Sequence, residues 1–290
     1  MPVVTKQVAG GRQAPAKKEG VLSRIRPIGF DEDEGLKVLL YGRSGTGKTT
    51  LWATFPKPIL AVLASGGSQP GELRSIDTPE YRETVRQVAL ERADEMKELV
   101  DYLNVHRQEY ATVVLDHATG LQDLILKDLL NLSEIPAQKG WGIATQQDWG
   151  QVGTQFKEYI RAILSLRCNV VIVAQEREFN TENVSDVIKP TVGAGLTPSI
   201  TGWLNAAVDY ICQTFIRQKE VTKTLKVGAG PKAKTVTRVD KVPGQVEYCL
   251  RTGADEVYTT KFRKPRGETL PQAIVDPSYE QIYALARGGQ

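Results

Sequence analysis

The chain has 290 residues, of which 41% are hydrophobic and 24% are charged, and its formal net charge is +3. These proportions are those of ordinary globular proteins and exclude a disordered or collagen-like chain. No run reaches the roughly 18 apolar residues that cross a bilayer, and the N-terminus lacks the apolar segment of a signal peptide. Three widely spaced cysteines and two histidines argue against a disulfide framework and a zinc site. We therefore expect a soluble, cytoplasmic protein with no membrane partner.

The small net charge conceals three basic segments on an acidic body. Residues 1–26 carry six Lys or Arg and one acid, residues 217–241 carry eight and two, and residues 261–266 carry four and none. Their charges of +5, +6 and +4 leave −12 for the other residues. Clustered cations predict local contacts with a polyanion, although solvated tails and hairpins have the same composition.

The order of apolar runs predicts one α/β domain. Residues 1–35 read as a flexible basic tail or arm, because they are rich in Gly, Pro, Lys and Ala without apolar periodicity. Strands are predicted at Lys37–Tyr41, Ile59–Ala64, Glu83–Leu90, Thr112–Asp116, Asn169–Ala174, Ala206–Arg217, Gly244–Arg251 and Tyr258–Phe262. Helices are predicted at Lys48–Phe55, Arg92–Gln108, Leu121–Leu132, Gln146–Leu166 and Pro277–Ala286. The alternation predicts a doubly wound, mostly parallel sheet with C-terminal antiparallel strands over residues 36–290.

Two parts of this domain stand outside the alternation. A basic hairpin insert is expected at residues 217–243, and Glu176–Gly202 is polar and too long for a simple connector. We expect the second segment to be functional or mobile.

A phosphate-binding loop is the strongest motif in the chain. The sequence GRSGTGKT fits G-x-x-x-x-G-K-[ST] and lies between a predicted strand and a predicted helix. Its glycines let backbone N–H groups surround phosphate, Lys48 neutralises the β and γ oxygens, and the Thr49 hydroxyl suits Mg²⁺. The nucleotide-binding residues are predicted to be Gly42, Arg43, Ser44, Gly45, Thr46, Gly47, Lys48, Thr49 and Thr50. The motif predicts ATP and Mg²⁺ as cofactors.

Polar residues at the ends of two other strands complete the predicted catalytic set. Asp116 follows the apolar run TVVL and is the candidate for holding the metal, together with Thr49. Gln175 ends NVVIVAQ, where it would sense the γ-phosphate or be an ordinary polar residue at a strand end. No glutamate follows Asp116, and Glu72 is one of the two nearest loop carboxylates that could activate water. The sequence thus predicts ATP binding and leaves the water-activating residue unidentified.

The order of these motifs resembles the phage-encoded RecA-like AAA-domain ATPases, a group that includes single-strand annealing proteins with a RecA/Rad core. The resemblance covers residues 36–287 and includes QDWG at Gln147–Gly150, VIVAQ, KFRKPRG and DPSYE. It implies a RecA-like P-loop NTPase core, ATP and Mg²⁺, single-stranded DNA as ligand, and self-assembly into a filament or ring. A single-strand DNA-binding protein is a further candidate partner, and a phage protein would work in the host cytoplasm.

Carried onto this sequence, the resemblance implies two DNA-facing loops, Ser133–Thr145 and Phe179–Gly202. Together with the insert, they supply the predicted DNA-binding residues Lys139, Trp141, Lys189, Lys223, Lys226, Lys232 and Lys234. Trp149 is expected in the core, whereas Trp141 is either packed or stacked on bases. Lys261 and Arg263 alternate on a predicted strand and resemble cations that reach a neighbour's γ-phosphate, although a solvated basic edge strand would look the same.

Three functions remain open at this stage. The leading one is an ATP-dependent protein that binds single-stranded DNA and promotes annealing or strand exchange, with DNA-stimulated ATPase activity. The second is a nucleotide-switched assembly or interaction protein that hydrolyses ATP slowly or not at all. The third is a P-loop kinase of a small molecule, which the position of the basic residues in tails and hairpins disfavours. ATP turnover with and without single-stranded DNA would separate the three.

Overall fold

The computed structural model of the chain describes residues 35–64, 73–106, 108–132, 144–179, 191–227 and 234–288. These residues lie in one compact unit. The predicted tail falls outside them except for Gly35. In the described parts of the chain, no helix is long and apolar enough to cross a membrane.

The described strands form one mostly parallel sheet. They are β1 Lys37–Gly42, β2 Ile59–Leu63, β3 Val85–Ala89, β4 Thr112–Asp116, β5 Asn169–Glu178, β6 Val192–Ala194, β7 Tyr210–Val227, β8 Lys234–Arg251, β9 Lys261–Phe262 and β10 Ala273–Val275. Their order is β10-β8-β7-β1-β5-β4-β2-β3, and β6 and β9 pair with β5 and β7. The six strands from β7 to β3 are parallel, and β8, β10, β6 and β9 add in antiparallel fashion. The predicted fold class is therefore confirmed.

Helices cover both faces of this sheet. They are α1 Lys48–Trp52, α2 Pro79–Thr84, α3 Glu95–Val105, α4 Ala118–Leu130, α5 Gln146–Leu164, α6 Pro198–Ala207 and α7 Tyr279–Arg287. One core cluster joins the sheet to α3, α4, α5 and α6, and a second joins the opposite face to α1 and α7. The apolar runs of β1, β2 and β5 serve both clusters, because successive side chains of a strand point to opposite faces. Trp149 packs against the first cluster, as predicted.

Strands β7 and β8 continue far beyond the sheet as a two-stranded hairpin. β7 pairs with β1 only as far as Thr214, and β8 pairs with β10 only from Cys249 onward. Between those points the described residues of the two strands pair with each other, from Phe215–Cys249 to Val227–Lys234, with one irregularity after Gln218. We call the described residues between positions 215 and 248 the arm. At about 3.3 Å per residue, the stretch Ile216–Val227 is roughly 40 Å long.

The largest error of the sequence prediction lies between β5 and β7. The predicted strand Ala206–Arg217 begins only at Tyr210, because residues 198–207 form α6 instead. Pro198 occupies the first turn of that helix, and Ile200 and Leu204 lie one turn apart and are buried. The polar segment Glu176–Gly202, which was predicted to be too long for a simple connector, therefore includes a short strand and the start of a helix in its described part.

The C-terminal strand is also shorter than predicted. Only Lys261 and Phe262 pair with β7, whereas Tyr258 bridges to Val192 and the Thr259 N–H donates to the Val192 carbonyl. The strand pattern of Tyr258–Phe262 is thus divided between two partners.

Candidate nucleotide-binding site

The phosphate-binding loop connects β1 to α1 at the carboxyl edge of the sheet. Gly45 and Gly47 have φ values of 78° and 87°, which L-residues with side chains adopt only with strain. The Thr46 hydroxyl donates to the Arg43 carbonyl over 2.8 Å, and it lies 2.6 Å from the Thr214 hydroxyl of β7. The loop therefore has the backbone that its glycines predict, and it is fastened to the neighbouring strand.

The side chain of Lys48 binds main-chain carbonyls of the loop. Its ammonium donates to the Gly42 carbonyl over 2.8 Å and to the Arg43 carbonyl over 2.7 Å. Burial lowers the pKa of Lys48, while the carboxylates of Asp116 and Glu176 act in the opposite direction. A poorly hydrated cation held by main-chain carbonyls can exchange them for phosphate oxygens, which are stronger acceptors. These residues fit the nucleotide that the motif predicts.

Asp116 ends β4 on the same edge of the sheet. Its Oδ2 atom accepts a hydrogen bond of 3.1 Å from Nε1 of Trp52, which is fully buried in α1. α1 begins at Lys48, so one short helix holds both the ammonium and the partner of the carboxylate. Thr49 is partly exposed beside Lys48. Thr49 and Asp116 have the oxygen donors that Mg²⁺ requires, and their role as metal ligands stays a prediction.

Gln175 lies directly opposite Gly42 in the pairing of β5 with β1. The chain thus brings the predicted sensor amide to the strand that enters the phosphate-binding loop. Glu72, the predicted water-activating residue, lies outside the described residues. The roles of both remain predictions.

Glu176, the residue after Gln175, was not among the predicted site residues. Its Oε2 accepts a 2.7 Å hydrogen bond from Gln213 of β7, whose Oε1 accepts one of 3.0 Å from Arg251 of β8. Arg251 then binds Asp255 at 2.6 Å. This chain of polar groups links the predicted sensor position to β8. The sequence indicates a role for Glu176 only through its position, because it follows Gln175 after an apolar strand.

Burial and then the Glu176 carboxylate raise the pKa of Tyr41, whose hydroxyl donates to the Thr259 carbonyl. Tyr41 is therefore a neutral donor beneath the loop at ordinary pH.

The predicted DNA-binding residues are only partly described. Lys223 lies on the arm 3.2 Å from Asp240, and Arg238 also binds that carboxylate, at 2.6 Å. The Lys223 hydrogen bond lowers the pKa of Asp240, so this acid stays charged. Lys226 and Lys234 belong to β7 and β8, but their side chains are not described. Lys139, Trp141, Lys189 and Lys232 lie outside the described residues.

The predicted trans-acting cations have partners within their own chain. The ammonium of Lys261 donates to the carbonyls of Asn205, Ala206 and Val208 at the end of α6. Arg263 binds Asp209 at 2.6 Å. Both residues lie near Tyr210, where β7 begins, whereas Thr214, beside the phosphate-binding loop, ends the part of β7 that pairs with β1. Their contact with a γ-phosphate in trans stays a prediction.

A family model described as an AAA domain matches residues 34–263, which include the phosphate-binding loop, Asp116, Gln175 and both strands of the arm. No curated protein matches the sequence at a significant level.

Proposed function

The chain belongs to the AAA domain family of P-loop ATPases, and on that premise we propose that it binds single-stranded DNA and promotes annealing in an ATP-dependent manner. This is the activity implied by its resemblance to the phage-encoded RecA-like proteins. The proposal includes DNA-stimulated hydrolysis of ATP, self-assembly into a filament or ring, and action in the host cytoplasm. A single-strand DNA-binding protein would be its natural partner.

The arm is the observation that carries the proposal. β7 runs parallel to β1, so its continuation leaves the sheet at the edge where the phosphate-binding loop lies. Residues 217–241, which form most of this arm, carry eight Lys or Arg and two acids. Repeated cations on an extended hairpin suit the regular phosphates of a nucleic acid strand. The remainder of the chain is acidic, so attraction of a polyanion would be confined to the basic segments.

The residues of the nucleotide site have distinct tasks in this proposal. Bound ATP and Mg²⁺ would supply the phosphoanhydride bond and the Lewis acid. Lys48 would exchange its two carbonyl partners for phosphate oxygens, and Asp116, held by Trp52, would orient the metal's water shell. Gln175 would sense the γ-phosphate beside Gly42, and a movement of β5 there would pass through Glu176 and Gln213 to β8.

The decisive experiment measures DNA binding and ATP turnover together. Fluorescence anisotropy with a labelled oligonucleotide, repeated over a salt series, should give a slope of log K against log[salt] near −3 if about four phosphates are contacted. Replacement of Lys223, Lys226, Lys232 and Lys234 by Gln should flatten this slope. Single-stranded DNA should also stimulate ATP turnover by the wild-type protein.

A matched control uses cations away from the arm. Arg82 and Arg92 form exposed ion pairs near β3 and α3. Their replacement by Gln should leave the slope of log K against log[salt] unchanged. Binding that is independent of salt, or an equal slope in the arm variant, would refute the DNA-binding role of the arm. ATP binding without turnover in the presence of DNA would favour a nucleotide-switched assembly protein instead.

A further inference from the structure

The root of the arm presents an apolar surface beside the phosphate-binding loop. Tyr248 and Ile216 are opposite each other in the pairing of β8 with β7. Val246 lies two residues before Tyr248 on the same face of β8, farther from the sheet. The exposed fractions are 44% for Tyr248, 41% for Ile216 and 56% for Val246. We call these three side chains the root strip. Large apolar side chains with this exposure at the foot of an ordered hairpin indicate a surface that another group covers.

Tyr248 also touches the loop itself. A Cβ atom placed on Gly47 would lie 3.3 Å from Cδ1 of Tyr248, so one edge of the ring packs against the residue that precedes Lys48. On the same face of the two strands, two residue pairs nearer the sheet, Thr214 contacts the Thr46 hydroxyl. β7, through Thr214, and β8, through Tyr248, are therefore both in contact with the phosphate-binding loop, and the Tyr248 side chain is still 44% exposed.

The sheet order determines which end of a bound nucleotide this surface faces. Asp116 ends β4, which lies on the β5 side of β1, and the carboxylates that act on Lys48 come from β4 and β5. A metal held by Asp116, with the phosphates that it coordinates, would lie on that side. The ribose and base, at the other end of the phosphate chain, would then extend toward β7 and β8. The root strip lies there.

We infer that Tyr248 is a residue of the nucleotide site, where its ring packs against the base and ribose of the nucleotide whose phosphates the loop binds. The inference rests on the ATP binding of the proposed function and adds a contact to the nucleoside. An aromatic face next to a purine stabilises binding through stacking and burial of apolar surface. The same contact makes the arm part of the nucleotide site, so a bound nucleoside would restrain the arm at its root.

The test compares a nucleotide with a ligand that has no nucleoside. Isothermal titration calorimetry with Mg²⁺ measures the affinity of each variant for the non-hydrolysable analogue AMP-PNP and for inorganic tripolyphosphate. Tyr248→Ala should weaken AMP-PNP about tenfold, a typical loss for one stacked base, and leave tripolyphosphate unchanged. Tyr248→Phe should bind both ligands as the wild type does, because it retains the ring.

Two controls keep the result interpretable. Tyr102→Ala removes a tyrosine of similar exposure on α3 and should change neither affinity. Thermal melting checks the fold, and if Tyr248→Ala is unstable, Tyr248→Leu replaces it, with a several-fold loss expected for AMP-PNP alone. Equal effects of the Tyr248 variants on both ligands, or none on AMP-PNP, would overturn the inference.

Lys48→Ala separates this inference from the proposed function. The variant should weaken AMP-PNP and tripolyphosphate alike, because it removes the cation that both ligands share. If Lys48→Ala weakens both and Tyr248→Ala weakens neither, only the role of Tyr248 is wrong. If Lys48→Ala weakens neither ligand, the assignment of the nucleotide site itself fails.

Discussion

Residues on one short helix determine the geometry of the candidate site. Lys48 and Trp52 are four residues apart on α1 and therefore lie about one turn apart. The first binds carbonyls of the phosphate-binding loop and the second binds Asp116. A substitution at Trp52 should thus alter the position of Asp116 and leave the contacts of Lys48 with the loop unchanged. Trp52 is a positioning residue in this arrangement, because its contact is to Asp116.

Trp52→Phe should lower the affinity for Mg²⁺ in the complex with nucleotide. The variant keeps an aromatic ring but removes the N–H donor, and a lost hydrogen bond to a charged group costs about 1.5–3 kcal/mol. We therefore expect the Mg²⁺ midpoint to rise at least several-fold, while nucleotide affinity without metal stays constant. Asp116→Asn should raise the midpoint further and reduce Mg²⁺-dependent turnover more than nucleotide binding.

Phe55→Leu is the matched control for this measurement. Phe55 is buried in the same core cluster as Trp52 and packs against the ring of Tyr279. Its truncation should lower stability without a shift in the Mg²⁺ midpoint. If Phe55→Leu and Trp52→Phe move the midpoint equally, the effect comes from loss of packing and the hydrogen bond to Asp116 has no special role.

At the scale of elements, β9 contacts the end of α6 through Lys261, which is also the residue predicted to act on a neighbouring subunit. The last carbonyls of a helix have no partner within it, and a cation near them is favoured by the helix dipole. Lys261 of β9 occupies this position, and burial followed by the nearby Arg263 lowers its pKa. Together β9 and α6 form a link at the start of β7.

Lys261→Met should destabilise the fold. The substitution keeps the apolar stem and removes the charge that binds α6, so we expect a loss of about 1 kcal/mol and a fall of roughly 2–4 °C in Tm. Arg266→Met, at an exposed position of the same basic segment, should leave the melting temperature unchanged. An unchanged Tm for Lys261→Met as well would show that its carbonyl contacts contribute nothing.

The whole molecule places its charges at different ends of the sheet. The arm leaves at the edge of the phosphate-binding loop, whereas Lys261 and Arg263 lie at the opposite edge. In the proposed function these cations act on the γ-phosphate of a neighbouring subunit. Such an arrangement would link assembly to turnover and is part of the proposed function.

Loss of both cations should abolish DNA-stimulated hydrolysis and spare nucleotide binding. A Lys261→Ala/Arg263→Ala protein retains its own phosphate-binding loop, and a mixture with Lys48→Ala should recover part of the turnover, since some interfaces would pair an intact loop with intact cations. Asp209→Asn is the matched control, because it removes the partner of Arg263 and leaves the cation.

The two explanations differ in their effect on Asp209→Asn. A role in trans predicts normal turnover for Asp209→Asn, whereas a purely structural ion pair predicts that this variant behaves like Arg263→Ala. Normal hydrolysis by the double variant, or constant turnover per subunit on dilution to monomer, would contradict the role in trans.

The sequence by itself determined the parallel strands, most helices and the phosphate-binding loop, because each is encoded by a local pattern. Continuous apolar runs specify buried strands, and a glycine-rich loop before Lys48 specifies a backbone that only glycine adopts easily. Asp116 and Gln175 were identified for the same reason, since the carboxyl ends of parallel strands share one edge.

Only the tertiary structure decided which distant residues meet at that edge. The partners of the site are Trp52 for Asp116, Gln213 for Glu176 and Tyr248 for Gly47, and no spacing in the sequence predicts such pairs. α6 was missed because its first residues lie in the segment Glu176–Gly202, which was interpreted as polar, and its last residues were assigned to the following strand; the burial of Ile200 and Leu204 is a tertiary feature. The contact of Lys261 with the end of α6 is a further example. Its alternation with Arg263 predicts that both residues lie on one face of a strand, but it does not predict which helix end Lys261 binds.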